Sequence, residues 1–270
     1  MDDTSILELP PPAADARIAY GADGHQFGDL RLPKGAGPHP VAVNIHGGFW
    51  RARYDLAHAG HLCAALTKAG MATWNLEYRR VGDAGGGWPG SFEDVTQGFL
   101  FLEELARRFP LDLKRAVILG HSAGGQLALI LAGHQQQGPQ PAGAGILPGK
   151  GVRGAVSLAG VVDLRRAWEL KLSNDAVGEF LGGSPDNLGE HYREASPIEV
   201  PMPKLRQRLL HGVADTIVPI ELSRRYAARK LAAKEDVKLT ELASAGHFDL
   251  IDPRSAAWKA VERTVKELLI

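Results

Sequence analysis

Val117-Ile118-Leu119-Gly120-His121-Ser122-Ala123-Gly124-Gly125-Gln126-Leu127 is the stretch that decides how this chain is read. A short β-branched apolar run meets Gly-His-Ser-Ala-Gly, and an apolar segment of helical period follows at once. This is the G-x-S-x-G pattern in the strand–turn–helix setting that it requires. A serine in such a turn sits on strained backbone, its hydroxyl raised above the sheet edge and the N-terminus of the next helix beneath it. Gly120 and Gly124 keep the crowded turn free of side chains. Ala123, Leu127, Ile130 and Leu131 then fall at helical spacing and bury one face. A Gly-rich turn with an incidental serine gives the same local string. The decision therefore rests on whether the rest of the chain supplies a base, an acid and an oxyanion hole.

Outward from this stretch, strands and helices alternate. On the amino-terminal side, Arg17–Tyr20 and Phe27–Leu32 flank a Gly-Ala-Asp-Gly turn and read as an antiparallel edge pair. Val41–His46 is a near-continuous apolar run expected as a central strand, Asp55–Lys68 a helix and Met71–Leu76 a further strand. Ser91–Phe109 reads as one long helix with a capping-box-like start at Ser91 and Asp94. On the carboxyl-terminal side, 135–151 is rich in Gln, Pro and Gly and reads as an exposed loop. Strands are expected at Val152–Leu158, Gln207–His211 and Val237–Leu242, and helices at Pro219–Lys234 and from Pro253 onward. Short helices broken at Gly182-Gly183-Ser184-Pro185 fill the stretch between. Alternation of this length means a mainly parallel sheet wound on both faces. No internal repeat and no break in composition divides the chain, so one domain is expected over 15–270. An extended arm precedes it at 1–14, and a small cap-like insert is expected at about 163–195.

The composition excludes several classes. The 31 basic and 31 acidic residues cancel, which removes the electrostatic case for nucleic acid or an anionic membrane as partner. A chain of 270 residues with 44% hydrophobic content builds its own core without staples. Cys63 is the one cysteine and lies in an apolar helical stretch, so a buried inert thiol is expected. Met1-Asp2-Asp3-Thr4-Ser5 lacks a signal peptide's positive start and apolar core, and no transmembrane run is seen, so the cytoplasm is the expected location. No His/Cys/Asp cluster has ligand spacing, so neither metal nor cofactor is expected.

The remaining parts of a nucleophilic site occur in order. Of the 10 histidines, His247 in Ser244-Ala245-Gly246-His247-Phe248-Asp249 follows the last strand, at the carboxyl edge where ligands of such sheets bind. It is the expected base. Asp215 follows another strand at the same edge and is the expected acid, with Asp163 as the rival. His46-Gly47-Gly48-Phe49-Trp50 leaves a central strand upstream of the serine. The amides of Gly48, Phe49 and Ala123 are assigned to the oxyanion hole, where such donors are worth about 3–4 kcal/mol each. Trp50 and Trp88, on loops at this edge, and His121, beside the serine, are candidate pocket residues.

The order Ser122, Asp215, His247 resembles that of α/β-hydrolases of the carboxylesterase type, over roughly residues 15–270. Leu76-Glu77-Tyr78-Arg79-Arg80 with Trp88-Pro89-Gly90-Ser91-Phe92-Glu93-Asp94 is similar to a segment of hormone-sensitive-lipase-like esterases. That likeness implies a structural ion pair of Arg79 with Glu77 or Asp94. Where those esterases usually carry a third glycine after His-Gly-Gly, this chain has Phe49-Trp50, which resembles kynurenine formamidases and the small esterases related to them. The resemblance implies a single-domain α/β-hydrolase fold of about eight strands and a serine hydrolase of small or medium carboxylic esters working through an acyl-enzyme. An arylformamidase is the alternative. A peptidase is disfavoured because no propeller domain lies upstream, and a hydrolase-fold binding protein without turnover is disfavoured by the intact Ser122, Asp215 and His247.

Overall fold

The structure is a computed structural model describing residues 2–137 and 152–270. Its first element is a one-turn helix α1 (Ser5–Glu8), within the arm that was expected to be extended. The strands are β1 (Ala16–Ala19), β2 (Phe27–Arg31), β3 (His39–Ile45), β4 (Ala72–Leu76), β5 (Leu111–His121), β6 (Ala155–Leu158), β7 (Gln207–Gly212) and β8 (Val237–Leu242). They form one 8-stranded sheet in the order β1-β2-β4-β3-β5-β6-β7-β8. β1 pairs antiparallel with β2, and β2 with β4, while every other pairing is parallel. The parallel strands need crossover helices, and the chain supplies them on both faces.

Period-2 alternation divides the core between those faces. Val41, Val43 and Ile45 of β3 and Ile118 of β5 point into the larger apolar cluster, and Ala42, Val117 and Leu119 into the smaller one. The smaller cluster is closed by α2 (Gly60–Lys68), through Leu62 and Leu66, and by the last helix of the chain. The larger is closed by α3 (Gly90–Leu100), α4 (Leu102–Arg108) and α5 (Ala123–Gln137). Three short helices, α6 (Leu164–Glu169), α7 (Ala176–Leu181) and α8 (Gly189–Ala195), make up the insert between β6 and β7. α9 (Glu221–Ala232) follows β7, and α10 (Trp258–Leu269) ends the chain with Val261, Val265 and Leu268 against the smaller cluster.

Several local expectations need correction. The helix expected over Ser91–Phe109 is two, divided at Phe101. Its start is not a capping box, because both polar groups are engaged elsewhere. The Ser91 hydroxyl donates to the Arg79 carbonyl (2.6 Å), and the Asp94 carboxylate accepts from Arg79 (2.6 and 2.8 Å) and Gln26 (2.8 Å). Asp55 does cap the next turn, accepting from the Ala57 amide at 2.8 Å, but that turn is 3-10 (Leu56–Ala59) before α2 begins. Of the loop expected at 135–151, residues 135–137 complete α5 and 138–151 lie outside the described residues.

Candidate active site

The ends of the parallel strands bring the site together. β5 stops at His121, and Ser122 makes the turn with φ 56°, a left-handed conformation rare for a residue with a side chain. Such a conformation costs on the order of 1–3 kcal/mol and persists only when its surroundings enforce it. Here they do. A Cβ on Gly120 would lie 2.2 Å from the Gly124 carbonyl oxygen, and one on Gly124 would lie 2.0 Å from that of Ile45. Only glycine lets β5, α5 and β3 approach this closely. The Ser122 amide donates to the Leu158 carbonyl (2.8 Å), and its own carbonyl accepts from Gly125 (2.9 Å), which fixes the turn on both sides.

Asp215 and His247 leave the ends of β7 and β8. The His247 Nδ1–H donates to Asp215 Oδ2 at 2.7 Å, which leaves Nε2 as the ring's lone pair. Asp215 also accepts from the amides of Ile217 (2.9 Å) and Val218 (2.8 Å), and His211 Nε2 stands 3.3 Å from Oδ2. Burial of this carboxyl works to raise its pKa. The hydrogen bonds from His211 and His247 outweigh that and hold it well below the usual carboxylate range, so Asp215 is an anion at all working pH values. Asp163, the rival acid, is committed elsewhere. It caps α6 through the Arg166 amide (3.1 Å) and pairs with Arg225 (2.8 Å).

The loop after β3 passes close to the serine: a Cβ on Gly47 would sit 3.1 Å from Ser122 Cβ. Gly48, Phe49 and Trp50 follow with φ of 116°, 52° and 55°. Three successive left-handed residues, two with side chains, curl the chain so that successive amides do not enter the sheet. No acceptor is bonded to the Gly48 or Phe49 amide among the described residues. The Ala123 amide is the first of α5 and has no helical acceptor either. A buried ionic group braces this loop from below. Glu77 accepts from His46 Nε2 (3.0 Å), Arg80 (2.9 Å) and the Leu56 amide (2.9 Å). Burial opposes the charge on Glu77, but His46 and then Arg80 outweigh it and lower its pKa. His46 Nδ1 faces the Gly47 carbonyl (2.8 Å), and Tyr78 stacks on the ring while donating to the His46 carbonyl (3.0 Å). Arg79 takes Asp94 rather than Glu77 as its partner.

Two of the three pocket candidates require correction. Trp50 is fully buried, stacked on Phe180 with ring centroids 4.4 Å apart, and its indole N–H donates to Gln126 (3.0 Å). It ties the loop to α5 and α7 and does not line an open pocket. His121 is also fully buried, with Nε2 against the His247 carbonyl (3.0 Å) and Nδ1 against His58 Nε2 (2.8 Å). Trp88 is half-buried, stacked on Phe92 (5.3 Å) and edge-on to Phe180 (6.2 Å).

Two groups went unseen in the sequence. The Asp2 carboxylate accepts from the amide (3.0 Å) and hydroxyl of Thr216 and from the amide of His247, so the arm clasps the loops after β7 and β8 together. His58 stands behind His121, and no motif marks it. Cys63 is buried, its thiol pushed up to about 12 by burial, so it is inert at neutral pH. Among the described residues no group of three or more His, Cys, Asp or Glu side chains is arranged to hold a metal ion. No described helix is long and apolar enough to cross a membrane.

A mostly parallel eight-stranded sheet, with a strained serine after β5 and a hydrogen-bonded Asp/His pair after β7 and β8, defines the α/β-hydrolase fold. Residues 29–230 match the BD-FAE family, and the chain belongs to it. The chain is 27% identical over 248 residues to esterase LipC of Mycobacterium tuberculosis, covering 87% of this chain and 60% of LipC. It is 30% identical over 133 residues to the versiconal hemiacetal acetate esterase of Dothistroma septosporum, covering 48% of this chain and 40% of that protein. The matches thus span about half the length of these curated relatives (60% and 40%). Among solved structures, a truncated carbohydrate esterase from gut microbiota superimposes with a TM-score of 0.79 at 21% identity, covering 96% of this chain and 97% of that one.

Proposed function

We propose that this protein is a serine hydrolase of small or medium carboxylic esters, with Ser122 as nucleophile, His247 as general base and acid, and Asp215 as the group that orients His247. The observation that carries the reading is the 2.7 Å bond from His247 Nδ1 to a buried aspartate anion, which leaves the Nε2 lone pair to take a proton. The Ser122 oxygen attacks the ester carbonyl, and its proton passes to Nε2. The carbonyl oxygen becomes an oxyanion held by the amides of Gly48, Phe49 and Ala123. Collapse breaks the bond to the alcohol, which leaves with the proton from Nε2. Water then gives a proton to Nε2 and attacks the acyl-serine, releasing the carboxylic acid and restoring Ser122.

The relatives reported above are named esterases, which favours an ester over the N-formyl aromatic amine of the alternative. Parallel assays on short p-nitrophenyl esters and on N-formylkynurenine test the choice. Ester turnover is expected. Rapid formamide turnover with negligible ester turnover would overturn it.

A further inference from the structure

His58 has no part in the chemistry above, yet its protonation can be deduced from one fixed acceptor. The His247 carbonyl oxygen can only accept, so His121 Nε2, 3.0 Å away, carries the hydrogen. A neutral imidazole has one N–H, so His121 Nδ1 is a lone pair. His58 Nε2, 2.8 Å from it, must then donate. That leaves Nδ1 of His58 as a bare acceptor. Both rings are held neutral: burial first, then the nearby His46 and His247, pushes His58 down to about 3. Burial likewise holds His121 well below the ordinary imidazole value.

The bare nitrogen is available. His58 Nδ1 has no partner among the described residues and is not one of the buried polar atoms left without one. His58 lines a cavity of about 470 Å³ together with Leu7 and Pro10 of the arm and with Arg53 and Tyr54. The same ring borders the nucleophile turn. A Cβ on Gly47 would lie 3.0 Å from His58 Nε2 and 3.1 Å from Ser122 Cβ. The cavity wall also meets the loop after β3, since a Cβ on Gly48 would lie 2.5 Å from Tyr54 Cβ, so an acceptor on this wall selects for a donor in whatever fills the cavity.

We propose that His58 is a substrate-recognition residue whose Nδ1 accepts a hydrogen bond from a hydroxyl carried by the ester close to its reacting carbonyl. This rests on the ester-hydrolase reading and deepens it to hydroxylated esters. The hydroxyl can belong to the alcohol or to the acyl group, and two substrate pairs separate these sources. One is 2-hydroxyethyl acetate against propyl acetate, and the other ethyl lactate against ethyl propionate. In the wild-type protein one pair should favour its hydroxylated member by about tenfold in kcat/KM, the size of a single hydrogen bond to a neutral acceptor. His58→Leu should bring that ratio close to one. Any general slowing from the lost bond to His121 affects both members of a pair and cancels in the ratio.

A wild-type protein that shows no preference in either pair would overturn the proposal, as would a His58→Leu variant that keeps it. Turnover of none of the four esters would overturn the hydrolase reading, and this assignment with it. Nitrogen-15 NMR of the histidine side chains adds a readout free of turnover. A neutral His58 protonated on Nε2 at pH 6 is expected, and a ring protonated on Nδ1 would refute the assignment.

Discussion

The loop after β3 and the loop after β8 approach Ser122 from opposite sides of β5, and they are secured by different chemistry. The first is held by charge and packing. Glu77 gathers His46 and Arg80 beneath it, Trp50 is sandwiched into the core, and three left-handed residues in succession leave its amides little freedom. The second is held by single hydrogen bonds to groups from distant parts of the chain: Asp215 on the ring, His121 on the carbonyl and Asp2 on the amide. His247 itself has ordinary backbone, with φ −63° and ψ −50°. The difference follows from the tasks proposed for the two loops. Donors that meet a developing oxyanion act best when they do not reorganise. A base that takes up and returns a proton needs a partner of fixed charge and a ring held in one tautomer.

Substitutions that break one side should therefore have different signatures from those that break the other. The largest effect is expected at Asp215. Asp215→Asn should lower kcat by about 10⁴ with the fold intact, because an amide no longer selects the Nδ1–H tautomer. Asp163→Asn should stay near wild type. Steady-state kinetics on a p-nitrophenyl ester decides this, and the reverse result would make Asp163 the acid.

On the other side, Glu77→Ala should act on stability before it acts on chemistry. It leaves His46 and Arg80 buried without their carboxylate, a change expected to cost about 3–5 kcal/mol in denaturant unfolding. A loss under about 1 kcal/mol would mean that the loop does not depend on this group.

A smaller effect distinguishes the sides by pH. His58 and His121 refuse protons in the folded state, whereas the unfolded chain accepts them below the ordinary imidazole value of 6.5. Between that value and the folded one, the unfolded state binds more protons, so stability rises with pH and is lost as pH falls. From pH 7 to pH 5 the loss should be about 2 kcal/mol for each histidine. Urea unfolding of wild type and His58→Leu over this range should show a shallower slope in the variant. Equal slopes would count against the buried neutral pair.

The smallest effect is expected at the arm. Asp2→Ala removes a carboxylate that accepts three hydrogen bonds from Thr216 and His247, and it should reduce kcat by about tenfold or less with KM little changed, because these bonds are exposed or only partly buried. A change confined to KM would instead assign the arm to binding.

These contrasts also explain what could be read from the sequence. The serine turn was legible because everything that forms it is local: an apolar strand, two glycines where a side chain cannot fit, and a helix that begins at once. The sheet was legible from the same alternation, and with it the expectation that Asp215 and His247 would lie at one edge. The identity of the neighbours was not. Trp50 reads as a loop tryptophan until Phe180, far along the chain, covers it. His121 adjoins the serine in sequence, but its direction is set by His58, 63 residues earlier, and by His247, 126 residues later. The capping box at Ser91 and Asp94 was a sound local pattern overridden by Arg79 and Gln26, which compete for the same polar atoms. Asp2 sits in a stretch with no periodicity, and its role depends on a loop 245 positions away.

The central claim is that acyl transfer passes through Ser122. Rapid quenching of the protein with excess p-nitrophenyl acetate, followed by peptide mass analysis, tests it most directly. One acetyl group on the peptide that contains Ser122, absent from Ser122→Ala, is the result this account requires. Acetylation elsewhere, or full ester turnover by Ser122→Ala, would contradict it.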